Sequence, residues 1–269
     1  MSEANGASSF ERIRGAFARA AAEQRAALVA YLTFGDPSPA ISIDIVEAAC
    51  RAGADVIELG VPFSDPSADG PSIQRAMERA LAAGATLAGA LAAVRTLRAR
   101  GIATPVVLFG YYNPIFTRGV AAFAADAAAA GVDAVLTVDV PIDELHELAD
   151  PLLAHGVCTI PLVAPTSTPD RIARAAEFAA PFVYYISLVG VTGARAAAPV
   201  DPARLTAIRS ASHAPVAVGF GIRTPADAAR FVAAGADGVV VGSALVELAA
   251  RGPAAVAALV ADLATGTRK

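Results

Sequence analysis

Short runs of β-branched and aliphatic residues alternate about eight times with longer, alanine-rich stretches along this chain. The short runs predict strands over Leu28–Thr33, Val56–Leu59, Pro105–Leu108, Ala134–Thr137, Val157–Val163, Phe182–Ser187, Val216–Gly219 and Gly238–Val241. Between them, apolar positions such as Ile41, Ile45, Val46 and Ala49, or Leu87, Leu91 and Val94, recur at helical spacing and predict one buried face per helix. Strands alternating with helices point to a parallel sheet with helices outside it. About eight such units without a dinucleotide-binding fingerprint favour an α/β fold of the closed (β/α)8 type, a TIM barrel, over an open doubly wound sheet.

Punctuation fits this repeat. Ala52-Gly53-Ala54-Asp55, Ala130-Gly131-Val132-Asp133 and Ala234-Gly235-Ala236-Asp237 each stand just before a strand, and glycine ends a helix at little steric cost because it tolerates positive φ. Ser8 and Glu11 are spaced as a capping box for an extra N-terminal helix that would plug the barrel bottom. No linker divides the chain, so residues 1–269 are expected to form a single barrel domain, with disordered tails at about 1–8 and 265–269.

Composition narrows the chemistry. The 269 residues match the roughly 250 of one such barrel. Hydrophobic residues reach 55%, but many are alanine, and the uncharged run from Phe178 to Ala194 is broken by Pro181, Gly190 and Gly193. A spanning helix needs about 20 mostly apolar residues. The first residues lack a basic and an apolar region, so no signal peptide is expected and the protein is expected to be cytoplasmic. A net charge of −4 without a dense basic run argues against nucleic acid as a partner. Cys50 and Cys158 read as small buried residues. The single lysine is the terminal Lys269, a poor candidate for a Schiff base, and His146, His155 and His213 form no metal-ligating pattern. Carboxylates and hydroxyls are left to move protons.

In a barrel of this kind the active site lies at the C-terminal ends of the strands. Strand residues alternate faces, so if Ile57 and Leu59 pack against helices, Val56 and Glu58 point inward. A carboxylate there would be desolvated, with a raised pKa suited to general acid–base work, unless it is an ion-paired core residue. The turn-rich segment from Val61 to Pro71 follows as a rigid loop in which Asp65 and Asp69 either fix turns or reach the pocket. Of Tyr184 and Tyr185, one should face inward. A long loop from Leu188 to Pro199 has the character of a lid. Glycine turns after the last two strands, with Gly193, suit a phosphate bound by backbone N–H groups, or else serve only capping and packing. Asn113 and Asp139 are candidates for a supporting shell, while Asp36-Pro37 and Thr224-Pro225 read as turn and helix-start residues.

Thr33-Phe34-Gly35-Asp36-Pro37, Glu58 to Pro66, Ala68-Asp69-Gly70-Pro71, Gly190-Val191-Thr192-Gly193, Gly219-Phe220-Gly221-Ile222 and Gly242-Ser243-Ala244 together resemble the tryptophan synthase α-subunit family, in order and over nearly the whole chain. The resemblance implies a lyase of tryptophan biosynthesis that cleaves indole-3-glycerol phosphate to indole and glyceraldehyde 3-phosphate by a retro-aldol step. It implies no cofactor in this chain, with pyridoxal phosphate confined to a partner β subunit in an allosteric α2β2 complex that receives the indole. Carried over by motif, Glu58 matches the catalytic glutamate, Asp69 the aspartate that holds the indole N–H, and Tyr184 the active-site tyrosine. Thr192 matches a lid threonine that bonds to that aspartate. Gly193, Gly221, Gly242 and Ser243 match a phosphate cradle with Phe220 beside it, and Tyr31 an aromatic contact to indole. Two departures, Ser67 where a bulkier apolar residue is expected and Val189 where a threonine or small residue is usual, lie toward the partner and bear on coupling rather than on the reaction. A free-standing lyase remains the alternative, with a purely regulatory barrel and another sugar-phosphate isomerase further behind.

Overall fold

The computed structural model describes residues 9–178, 180–186, 201–219 and 221–269. Every strand among the described residues belongs to one parallel sheet. Its spatial order is β5 (Cys158–Thr159), β4 (Ala134–Thr137), β3 (Val106–Gly110), β2 (Val56–Gly60), β1 (Ala27–Thr33), β9 (Gly238–Val241), β8 (Val216–Gly219), β7 (Val183–Ile186) and β6 (Leu162–Val163). The two ends of this order are halves of the single strand expected over Val157–Val163. Pro161 has no N–H to give to a ladder, so the strand pairs first with β4, through Ile160 N–H to Val135 O (3.0 Å), and then with β7, through Tyr184 N–H to Pro161 O (3.0 Å). The sheet therefore closes on itself as eight strands.

Alternation along the strands sorts their side chains into two layers. Leu28, Ala30, Leu32, Ile57, Leu59, Val106, Leu108, Val218 and Val241 face the surrounding helices, and Tyr185 joins them. Val29, Tyr31, Val56, Val107, Phe109, Leu136 and Ala217 fill the barrel, with Tyr184 packed against them. The inward assignment of Val56 holds, and of the two tyrosines Tyr184 is the inward one. Helix α1 (Ser9–Ala22) supplies Ile13, Ala16, Phe17 and Ala20 to the interior cluster. Phe17 stacks on Phe182 at 5.1 Å, so α1 is the expected plug; Ser8 of its proposed capping box lies outside the described residues.

The helix–glycine–aspartate repeat has a role beyond ending helices. Gly53, Gly131 and Gly235 all take positive φ. Asp55 accepts the Leu28 N–H and pairs with Arg25, and Asp133 accepts the Val106 N–H and pairs with Arg12 and Arg98. Asp237 accepts the Val216 N–H and pairs with Arg209. Each aspartate thus uses the free N–H at the start of a neighbouring strand and fixes the N-terminal face, remote from the chemistry.

Some expectations change. Residues 265–269 are not a loose tail: Ala26 N–H donates to Thr267 O (2.8 Å), Lys269 N–H donates to Gln24 O (2.8 Å), and Thr267 is fully buried. Helix α12 (Pro253–Thr265) delivers this segment against the chain entering β1. Helix α2 (Pro39–Arg51) buries Ser42, Ile45, Val46 and Ala49 and leaves Ile41 exposed. Ser42 can be buried because its hydroxyl accepts the Gly35 N–H and donates to Pro39 O. Asp36 does more than form a turn: it is buried and takes a two-pronged bond from Arg79 (2.8 Å to each oxygen) on α3 (Pro71–Ala82). Thr224 caps α10 (Pro225–Ala233) with Asp227 completing the box. Among the described residues no single helix is long and apolar enough to cross a membrane.

Candidate active site

The cleft at the C-terminal ends of the strands is bounded on one side by Glu58, Asp69, Tyr31, Tyr184 and Phe109. Its other side is made by Gly219 at the end of β8, by Gly221 and Arg223 after it, and by Gly242 and Ser243 after β9. The fold thus brings together seven of the ten residues singled out from sequence: Glu58, Asp69, Tyr184, Tyr31, Gly221, Gly242 and Ser243. Thr192, Gly193 and Phe220, like Val189, lie outside the described residues.

Glu58 sits in β2 beside Tyr31 of β1 and Val107 of β3. Its neighbours Ile57 and Leu59 turn outward to the helices, so its carboxyl turns inward. It is fully buried, and neither carboxyl oxygen has a hydrogen-bond partner among the described residues. The ion-paired alternative therefore fails. Loss of hydration disfavours the charged form, and burial pushes the Glu58 carboxyl up to about 8. At neutral pH the group carries a proton that it can give away.

Asp69 arrives by a different route, on the loop between β2 and α3, where the two aspartates part company. Asp65 stays at the surface and takes the Ser64 hydroxyl at 2.5 Å, as a turn former does. Asp69 is 4% exposed and points into the cleft. Three contacts hold it there. The Tyr111 hydroxyl donates to Asp69 Oδ2 at 2.7 Å, and the same oxygen of Tyr111 accepts the Ala68 N–H at 3.0 Å. Gln74 Nε2 donates to the Asp69 carbonyl at 2.9 Å. Burial raises the Asp69 carboxyl to about 6 against the opposing pull of the Tyr111 bond, leaving it ionised at neutral pH.

The two tyrosines occupy space that two glycines vacate. A Cβ on Gly60 would stand 2.3 Å from the Tyr31 hydroxyl, and one on Gly219 would stand 2.1 Å from that of Tyr184. Phe109 meets Tyr31 edge to face at 5.2 Å and leans on Tyr184 at 6.3 Å, so the three rings form one aromatic wall. Burial, then the nearby charge of Asp69, holds the Tyr31 hydroxyl far above its usual range, and burial followed by Glu58 does the same for Tyr184. Both stay protonated.

Gly221 takes φ +65°, a conformation that exposes main chain to the cleft without a Cβ in the way. Three further residues belong to the site, Tyr111, Gln74 and Arg223; no motif in the sequence marks them, since Tyr111 and Arg223 act through partners distant in the chain and Gln74 through a main-chain carbonyl. Neither Asn113 nor Asp139 lines the cleft; Asp139 accepts the Tyr112 N–H at 2.9 Å at the start of α5 (Tyr112–Arg118), one residue from the Tyr111 that holds Asp69.

Residues 17–267 match the family described as tryptophan synthase alpha chain. The tryptophan synthase alpha chain of Burkholderia mallei is 53% identical over 241 residues, covering 88% of each chain. That of Geobacter sulfurreducens is 52% identical over 245 residues, covering 91% of this chain and 92% of the relative. A structure of Mycobacterium tuberculosis tryptophan synthase superposes with a TM-score of 0.89 at 41% identity, covering 96% of this chain and 98% of that one.

Proposed function

Because this chain belongs to the tryptophan synthase α-chain family, we infer that its cleft cleaves indole-3-glycerol phosphate to indole and glyceraldehyde 3-phosphate, with Glu58 and Asp69 in complementary roles. The observation that carries this reading is the pair of buried carboxyls lining one cleft, Glu58 with no hydrogen-bond partner among the described residues and Asp69 held by Tyr111, with burial raising Glu58 to about 8 and Asp69 to about 6. Between those values one is an acid and the other an anion, which is the division of labour the reaction needs.

Indole is a poor leaving group as a carbanion. Glu58 gives its proton to the ring carbon that bears the glycerol chain, which places a positive charge on the ring nitrogen. Asp69 accepts the indole N–H and offsets that charge. The Glu58 carboxylate then takes the proton from the adjacent side-chain hydroxyl. The C–O bond becomes a carbonyl, the C–C electron pair returns to the ring, and neutral indole and an aldehyde separate. Glu58 ends protonated, as it began. Tyr31, Phe109 and Tyr184 enclose the flat ring, and the turns at Gly221, Gly242 and Ser243 supply N–H groups to the phosphate. Thr192, Gly193 and Phe220 are assigned to the lid and cradle by their motifs.

The α chain of this family needs no cofactor; pyridoxal phosphate belongs to the β chain. This chain works in an α2β2 complex and hands indole to the β subunit. We place it in the cytoplasm as one barrel unit, on the support of its family and a sheet that includes every strand among the described residues. The test is an indole assay on the purified chain with indole-3-glycerol phosphate, with and without the β subunit. Indole release stimulated by β is expected. No indole under either condition would overturn the reading, and equal rates with and without β would favour a free-standing lyase.

A further inference from the structure

Among the described residues that line the cleft, Arg223 is the only basic side chain, and it stands on the side formed by Gly221, Gly242 and Ser243. Its backbone is fixed, because its N–H donates to Asp227 Oδ2 at 3.1 Å just before the capped start of α10. Its guanidinium forks onto both carboxyl oxygens of Glu247, on α11 (Ser243–Ala249), and Glu247 also takes the Ser72 hydroxyl of α3 at 2.8 Å. Glu247 lies four residues after Ser243, on the same face of that helix. A carboxylate so close to an anion site opposes its ligand unless a cation balances it.

We propose that Arg223 is a specificity-determining residue for the phosphate end of the substrate, held at the cleft by Glu247 and Ser72 and passed from Glu247 to the phosphate on binding. The inference rests on the reading of the cleft given above. Both partners are substantially solvated, with side-chain exposures of 51% and 39%, and exposed ion pairs contribute little net free energy. Exchange of partner is therefore cheap. A phosphate dianion offers the planar fork a stronger, two-pronged acceptor than a wet carboxylate. Ionised Asp69 across the cleft adds to the need for a cation, since among the described residues that line the cleft the incoming dianion otherwise meets N–H dipoles alone.

The test compares the full chain with Arg223→Gln, Glu247→Gln and the double variant, reading kcat, KM for indole-3-glycerol phosphate and competitive inhibition by inorganic phosphate. Arg223→Gln should raise KM and the phosphate inhibition constant by roughly tenfold, the order of one lost charge-assisted hydrogen bond, with the loss falling on KM rather than kcat. Glu247→Gln should lower KM or leave it within about twofold, and the double variant should be less impaired than Arg223→Gln alone. If Arg223→Gln does not fold, Arg223→Lys carries the test: it keeps charge but loses the fork, and KM should rise several-fold. Phosphate inhibition and KM within twofold of the parent in whichever Arg223 variant folds would overturn the proposal. So would a loss confined to kcat. A parent chain that releases no indole, yet is protected from heat by inorganic phosphate in an Arg223-dependent way, would sink the proposed reaction and leave Arg223 standing.

Discussion

The Tyr111 hydroxyl donates to Asp69 Oδ2 at 2.7 Å while accepting the N–H of Ala68, the residue next to that aspartate, at 3.0 Å. One phenol at the end of β3 thus fixes both the backbone and the carboxylate of the loop that follows β2. Phe63, from the same loop, stacks on its ring at 5.0 Å. The loop is thus clamped by a residue some forty positions away in the chain.

Tyr111→Phe keeps the stacking surface and removes both hydroxyl contacts. Without the donor that pulls it down, the Asp69 carboxyl should rise above its value of about 6. The acid limb of the kcat/KM profile should then move to higher pH, and the rate at neutral pH should drop by roughly tenfold, the size of one hydrogen bond to a charged group. A pH–rate profile of the variant checks this; an unmoved acid limb would detach Tyr111 from Asp69.

The parent should give a bell-shaped kcat/KM profile. The rate falls below about 6 as Asp69 is protonated, and falls above about 8 as Glu58 loses the proton it must deliver. Glu58→Gln should lose activity by roughly 10²–10⁴-fold while still binding the β subunit. Near-normal turnover in that variant would remove Glu58 from the mechanism.

Glu58 also ties stability to pH, with a definite sign. Its carboxyl rises from 4.5 to about 8 on folding, so the folded chain holds the proton more tightly than the unfolded one. That contribution is complete below 4.5, declines as pH rises toward about 8, and is gone above it. Asp69 acts in the same direction between 3.8 and about 6. Melting curves at pH 5 and pH 9 should show the parent losing several degrees more than Glu58→Gln, since about 1 kcal/mol moves Tm by roughly 2–4 °C in a chain of this size. Equal losses would mean that Glu58 is not buried as described.

Gly219→Ala places a methyl group 2.1 Å from the Tyr184 hydroxyl. The ring must move, because the β8 backbone is held by pairing with β7 and β9. Urea unfolding should report a cost of about 1–3 kcal/mol from overpacking, together with a fall in kcat as Tyr184 leaves the aromatic wall. Wild-type stability and kcat would mean that Tyr184 has room the geometry denies.

Much of this was legible in the chain. The two-residue period of Val56-Ile57-Glu58-Leu59 puts Glu58 on the face opposite Ile57 and Leu59, hence inside if those two pack against helices, as they do. The closed barrel followed from the count of repeating units. Ile41 against Ser42 shows where the pattern fails: hydrophobicity chose the isoleucine, but a serine whose hydroxyl has a nearby N–H and carbonyl can be buried in its place. The C-terminal residues failed in the same way, since their anchors, Gln24 and Ala26, are far off in sequence.

Sequence alone determined the periodicities, hence the strands, the placing of Glu58 on the face opposite Ile57 and Leu59, and a family resemblance carried by contiguous motifs. These are local properties, written within a few residues of one another. Tertiary structure decided which of Asp65 and Asp69 enters the cleft, that Tyr111 and Gln74 hold it there, and that Arg223 faces the glycine turns. It also decided that nothing among the described residues answers the Glu58 carboxyl. A pKa is set by what surrounds a group in three dimensions. Those surroundings come from strands brought side by side by barrel closure, which no stretch of the chain contains on its own.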